Sequence, residues 1–170
     1  LGIAYAEDEN THGLAHFQWL AGESLLCTPL VKDYQGGRMD VYLPEGTWFD
    51  FDTGAKHVGP KLLEDFAMPV DKTPCFVGGE GILVTRQSDD APLRARVYPV
   101  DRSSQTFTFD HPDGEATSTI TFRGEGQEFV VTESGGAVVE VEAHAPLASF
   151  SFELRPGGHY EVHYQAAAAE

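Results

Sequence analysis

The stretch VYLPEGTWFDFDTG, residues 41–54, sets two carboxylates, Asp50 and Asp52, among Trp48, Phe49 and Phe51. Paired carboxylates beside a ring that can stack on a sugar are the equipment of glycosidic-bond cleavage: one acid protonates the leaving oxygen, the other is nucleophile or base. On a strand, residues two apart share a face and lie roughly 6.5–7 Å apart, within the separations such acids use. Yet both acids come from one strand, whereas a catalytic pair approaches the bond from opposite sides. The segment ends in DTG, a turn signal in which Asp caps the local backbone. Nothing near in sequence would raise one pKa and leave the other group ionised. A structural role for Asp50 and Asp52 is the stronger reading of the residues.

Other constellations are weaker still. Of the seven His, His12 and His16 lie four apart, a metal-capable spacing, but without the adjoining Glu of a zinc-protease motif. His144, His159 and His163 fall in terminal strands and read as exposed. No Gly-x-Ser-x-Gly elbow is present. Gly78, Gly79 and Gly81 in GGEGIL read as a bulge or tight turn. DHPDGE holds an incomplete calcium pattern and reads as a turn. Cys27 and Cys75 read as small core side chains, and a disulfide between them stays open. Trp48, Tyr42 and Tyr98 are candidates for a stacking platform, although such aromatics more often pack a core.

These side chains must be held by β structure. A chain of 170 residues with 41 % hydrophobic residues is long enough for one packed domain or two small ones. Its net charge of −16, from 27 acidic against 11 basic residues, repels phosphate backbones and anionic lipid. Nucleic-acid and membrane partners are therefore not expected, and no run reaches the roughly 20 apolar residues of a spanning helix. LGIAY reads as a buried strand, and THGLAHFQWLAG as one or two helical turns with Leu14, Phe17 and Leu20 on one face and Gly22 at the stop. Strands and turns follow: RMDVYLP, GTWFDFDTG, AMPV, CFVGGEGILVTR and LRARVYPV. The acidic turn DHPDGEAT is the best internal boundary. Beyond it, STITF, EFVVT, AVVEVEAH, SFSFEL and YEVHYQ suggest a smaller antiparallel set, and AAAAE a frayed tail.

Five segments then share one collinear pattern. QWLAGESLLCTPL, residues 18–30, resembles a Q-F/Y-x-L/F-G-x-x-L-L-V-A-P-V run. Residues 40–54 match D/R-x-V-Y-L-P-x-G-x-W-Y/F-D-F-x-T-G. PVDKTPCFVGGEGIL, residues 69–83, is similar to P-L-D-x-I-P-V-F-V-R-x-G-S-I-I, and LRARVYP with TFTFDHPDGEA to the strand and turn that follow. Together they resemble the C-terminal part of family 31 glycoside hydrolases, the α-glucosidases, α-xylosidases and their relatives, over residues 16–116. That family often has Asp just before the Gln, where this chain has His16 and Phe17.

The resemblance implies a mainly β fold: antiparallel sandwich domains preceded by the last strand and helix of a (β/α)8 barrel. Residues 1–28 would be the barrel tail, 29–112 a proximal β-sandwich and 113–170 a smaller distal β-domain. The family nucleophile lies in an upstream Trp-x-Asp-x-Asn-Glu stretch, and WFDFDT departs from it at Asp52 and Thr53. Hence no catalytic residue, metal ligand or cofactor site is expected within these 170 residues. The implied partners are the rest of a catalytic barrel and its carbohydrate substrate. The acidic loop 6–12 would lie near the rim of that barrel. Two other readings are a free-standing carbohydrate-binding sandwich and an oligomerisation surface.

Overall fold

In a computed structural model of the chain, residues 1–13, 17–29, 37–102, 105–112, 114, 116–125 and 128–165 are described. The chain is mainly β; the described residues also hold a short α-helix, α1 (Asn10–Gly13), and a 3-10 turn at Ala145–Leu147. Its strands divide between two compact units, Leu1–Leu83 with Tyr98–Asp101 and His144–Ser149, and Val84–Val97 with Arg102–Ala143 and Phe150–Glu170.

The first unit is organised by a five-stranded sheet built from β1 (Trp19–Ala21), β2 (Leu25–Cys27), β3 (Arg38–Asp50), β4 (Lys56–Ala67) and β5 (Cys75–Val77) in the order β1-β2-β5-β3-β4. Successive side chains on a strand face opposite ways. Trp48 accordingly packs with Leu26, Val41, Leu43, Met68 and Phe76, while Phe49 packs with Val77, Tyr98 and Val100. Both faces of β3 are thus covered along 41–44 and 47–50, where consecutive residues are buried. The β3–β4 register shifts between Leu43 and Gly46. Gly46 has φ +123°, a conformation open to residues lacking Cβ, so the bulge falls there.

The second unit contains a sheet of β8 (Thr106–Asp110), β9 (Thr117–Arg123), β10 (Glu128–Glu133), β11 (Ala137–Val138) and β14 (His159–Gln165), ordered β11-β10-β14-β9-β8. In the same unit β13 (Ser149–Glu153) pairs antiparallel with β7 (Arg94–Val97) through Phe150↔Val97 and Phe152↔Ala95. Aromatics join these layers: Phe129 of β10 stacks on Phe150 at 3.8 Å, and Phe152 meets Tyr160 of β14 at 5.1 Å. This is sandwich packing, with inner faces interdigitating. The remaining strands are β6 (Ile82–Thr85) and β12 (Glu142–His144).

Several expectations need correction. Neither a barrel strand nor a barrel helix is present among the described residues of 1–28. Residues 1–7 run through turns, with the Ala4 and Tyr5 amides bonded to the Leu1 carbonyl, and Ile3 is 99 % exposed. The expected second helical turn is the β1–β2 hairpin, with Leu20 opposite Leu26 and Gly22 (φ +66°) in its turn. Three apolar residues at helical spacing were too weak a preference against pairing of β2 with β5. Leu14, which completed that face, lies outside the described residues, as does the tail 166–170. AMPV is not a strand of its own. Ala67 ends the long β4, which the Gly59–Pro60 dipeptide disguised as a turn. Pro is tolerated there because β4 is an edge strand. AVVEVEAH divides into β11 and β12. The second set is not wholly antiparallel, since β14 runs parallel to β9. DHPDGEAT, expected as a turn, joins β8 to β9, which pair from Thr106↔Thr121 to Asp110↔Thr117.

Candidate functional site

The acidic loop and Tyr42 form a connected polar site in the first unit. The loop folds locally: the Asp8 amide bonds to the Tyr5 carbonyl, and the Thr11 hydroxyl to the Asp8 carbonyl at 2.8 Å. Asp8 Oδ1 accepts from both the amide and the side chain of Asn10 at 3.1 Å, an Asx turn that needs Asp followed two residues later by a donor. Its other oxygen, Oδ2, accepts from the Tyr42 hydroxyl at 2.6 Å.

Tyr42 is held from behind by an unexpected residue. Buried Gln18 donates Nε2 to the Tyr42 carbonyl and accepts the Tyr42 amide on Oε1, each at 2.9 Å. One carboxamide thereby takes the place of a neighbouring strand along β3, satisfying backbone groups that would be costly to bury unpaired. The Gln that carried the sequence resemblance is a β-sheet clamp rather than a helix residue. No sequence signal distinguished those two roles.

Together the loop residues, Tyr42, Glu45 and Pro60 line a cavity of about 570 Å³. The hydrogen bond from Tyr42, with those from Asn10 and the charge of His12, holds the Asp8 carboxyl below the usual carboxylate range. Such a group is an ionised acceptor at neutral pH; a general acid needs its pKa raised. The arrangement can therefore accept hydroxyl hydrogens but is unsuited to protonating a leaving group.

Asp50 and Asp52 do not converge. Asp50 Oδ1 accepts from the backbone amides of Asp52 (2.9 Å) and Thr53 (2.8 Å), capping the turn after β3. Asp52 instead pairs with Lys72 at 2.6 Å on the surface. Trp48, Tyr98 and Tyr42 are buried, so the proposed stacking platform does not exist. Trp48 Nε1 is occupied by the Pro44 carbonyl at 2.8 Å. His12 is exposed, and His16 lies outside the described residues. His159 faces Thr119 and His163 faces Glu161. Among the described residues no three His, Cys, Asp or Glu gather as a metal site. GGEGIL is a tight turn closed by Gly81 N to Gly78 O at 2.8 Å, and DHPDGE one closed by Gly114 N to His111 O at 2.8 Å. Cys27 and Cys75 are free thiols.

Residues 1–83 match the model of the glycosyl hydrolase family 31 C-terminal domain. The intestinal sucrase-isomaltase of Suncus murinus is 32 % identical over 123 residues, 68 % of this chain and 7 % of the relative. An isomaltosyltransferase of Sporosarcina globispora is 27 % identical over 135 residues, 71 % of this chain and 12 % of the relative. The chain thus spans about a tenth of the length of such relatives. Among solved structures, the cycloalternan-forming enzyme of Listeria monocytogenes, in complex with a pentasaccharide substrate, superposes with a TM-score of 0.66 at 18 % identity. It covers 92 % of this chain and 20 % of its own. The α-1,4-glucan lyase of Gracilariopsis lemaneiformis gives 0.52 at 16 % identity, covering 88 % and 23 %. Both likenesses concern the fold.

Proposed function

Since this chain belongs to glycosyl hydrolase family 31 through the C-terminal domain in residues 1–83, we propose that it is the accessory β-region of a retaining α-glycosidase or transglycosidase. The match over residues 1–83 carries the reading. The parent substrate is an α-linked glucoside or related glycoside, cleaved through a covalent glycosyl-enzyme intermediate. The catalytic carboxylates lie upstream, in a barrel supplied by the rest of the parent, and the 170-residue chain alone has no hydrolase activity.

Three observations support this division of labour. Asp50 and Asp52 are engaged in a turn and a surface ion pair. Asp8 is held ionised and tethered. Ile3 and Trp19, 99 % and 48 % exposed, leave apolar surface near the start of the chain for a barrel to cover. A free-standing sugar-binding module is disfavoured because its aromatic platform is buried.

Reading the coding DNA upstream of Leu1 tests the proposal. An in-frame extension encoding Trp-x-Asp-x-Asn-Glu is the expected result. A start codon directly before Leu1 would overturn it.

A further inference from the structure

Cys27 and Cys75 stand directly opposite each other on β2 and β5, with their sulfurs 3.6 Å apart. The flanking bonds fix the kind of position this is. Thr28 N bonds to Pro74 O at 3.0 Å and Gly78 N to Ser24 O at 2.9 Å, so 28↔74 and 24↔78 are hydrogen-bonded positions. Since such positions alternate along an antiparallel ladder, 27↔75 is a non-hydrogen-bonded one, where Cα atoms come within about 4.5 Å and side chains are closest. That separation lies inside the window a disulfide spans. The sulfurs need to approach by only about 1.6 Å to reach bonding distance, a movement within reach of χ1 rotation.

We propose that Cys27 and Cys75 form a cross-strand dithiol that closes reversibly to a disulfide, stapling the β1–β2 hairpin to the rest of its sheet. The oxidant is a low-molecular-weight disulfide. The Cys75 thiolate attacks one of its sulfurs, forming a mixed disulfide and expelling one small thiolate. The Cys27 thiolate then attacks Cys75 Sγ, expelling the second. Two protons leave the protein thiols, and two electrons pass to the oxidant, which ends as two thiols. Cys75 makes the first attack because it is half-buried whereas Cys27 is buried. Burial foremost, then the neighbouring Cys27 and the Asp52 and Asp50 carboxylates, push its thiol up to about 12. The thiolate is therefore scarce at neutral pH, and the pair survives brief oxidant exposure and closes slowly.

The staple closes the chain from residue 27 to residue 75, and its effect on the β1–β2 hairpin is a gain in stability. The protein containing this chain, at its natural length, is equilibrated with oxidised glutathione. Remaining thiols are alkylated, and the digest is mapped by mass spectrometry before and after dithiothreitol. The expected result is one intramolecular link between the Cys27 and Cys75 peptides, lost on reduction, with a Tm several degrees higher in the oxidised form. The Tm difference should vanish in Cys27→Ala and Cys75→Ala. Both thiols still alkylated after equilibration would overturn the proposal, as would glutathione remaining on Cys75 without transfer to Cys27. Peptide mapping of the unaltered protein decides the matter even where a variant fails to fold.

Discussion

The Tyr42 hydroxyl donates to Asp8 Oδ2 at 2.6 Å across 34 residues of chain, fastening the acidic loop to the long strand β3. Tyr42→Phe removes that fastening and leaves the ring in place. Hydrogen exchange of the amides of residues 5–12 should quicken, with the β3 amides unchanged. Acid should do the same. The folded-state pKa of Asp8 is depressed, so its contribution is present above the unfolded-state value and lost as pH falls through the folded one. Burial and then Asp8 raise the Tyr42 hydroxyl, so its contribution is full below the ordinary value of 10.0 and lost as pH climbs through the folded-state value.

Gly78→Ala should cost about 2 kcal/mol, read as a lower urea midpoint at unchanged slope. A Cβ there would lie 2.5 Å from Trp48 Cε3. The indole has no room to retreat, being fully buried and tied to the Pro44 carbonyl.

Asp50→Asn and Asp50→Ala should separate a turn cap from a catalytic acid. Asn keeps the Oδ1 acceptor for the Asp52 and Thr53 amides, so stability and parent activity are expected close to the unaltered protein. Ala leaves both amides without it and should cost about 1–3 kcal/mol by denaturant titration. Loss of activity in the Asn variant at full stability would contradict the structural role.

His57 lies edge-on to Phe76 with ring centroids 5.9 Å apart. Burial first, then Lys61, lowers its pKa from 6.5, against the opposing charge of Asp50. The unfolded chain therefore takes up a proton before the folded one does as pH drops. Stability from this residue is full above about 6.5 and is lost as pH falls through the folded-state value. Comparing Tm at pH 5 and pH 7.5 should show a smaller acid-side drop for His57→Phe.

The sequence made the β-rich architecture legible wherever alternation or turn chemistry was strong. RMDVYLPEGTWFD alternates across two buried faces, and DTG announced a turn, although the capping carboxylate is Asp50 rather than the Asp52 of that motif. What escaped depended on partners distant in the chain. The β1–β2 hairpin exists because β5 lies alongside, and β4 because β3 pairs with it on both sides of Pro60, at Gly59 and at Lys61. Gln18 on Tyr42 spans 24 residues and Tyr42 on Asp8 spans 34, distances over which no local period carries information. The acidic loop was visible as charge, but the cavity it lines with Tyr42 and Glu45 was not.

The most direct measurement compares turnover of p-nitrophenyl α-glucoside by the isolated 170-residue chain and by the parent protein containing it. Release of nitrophenol by the parent is expected, and none above buffer by the chain, with circular dichroism showing the chain folded. Enzymatic turnover by the isolated chain, abolished by a carboxylate substitution within it, would contradict the placement of catalysis upstream.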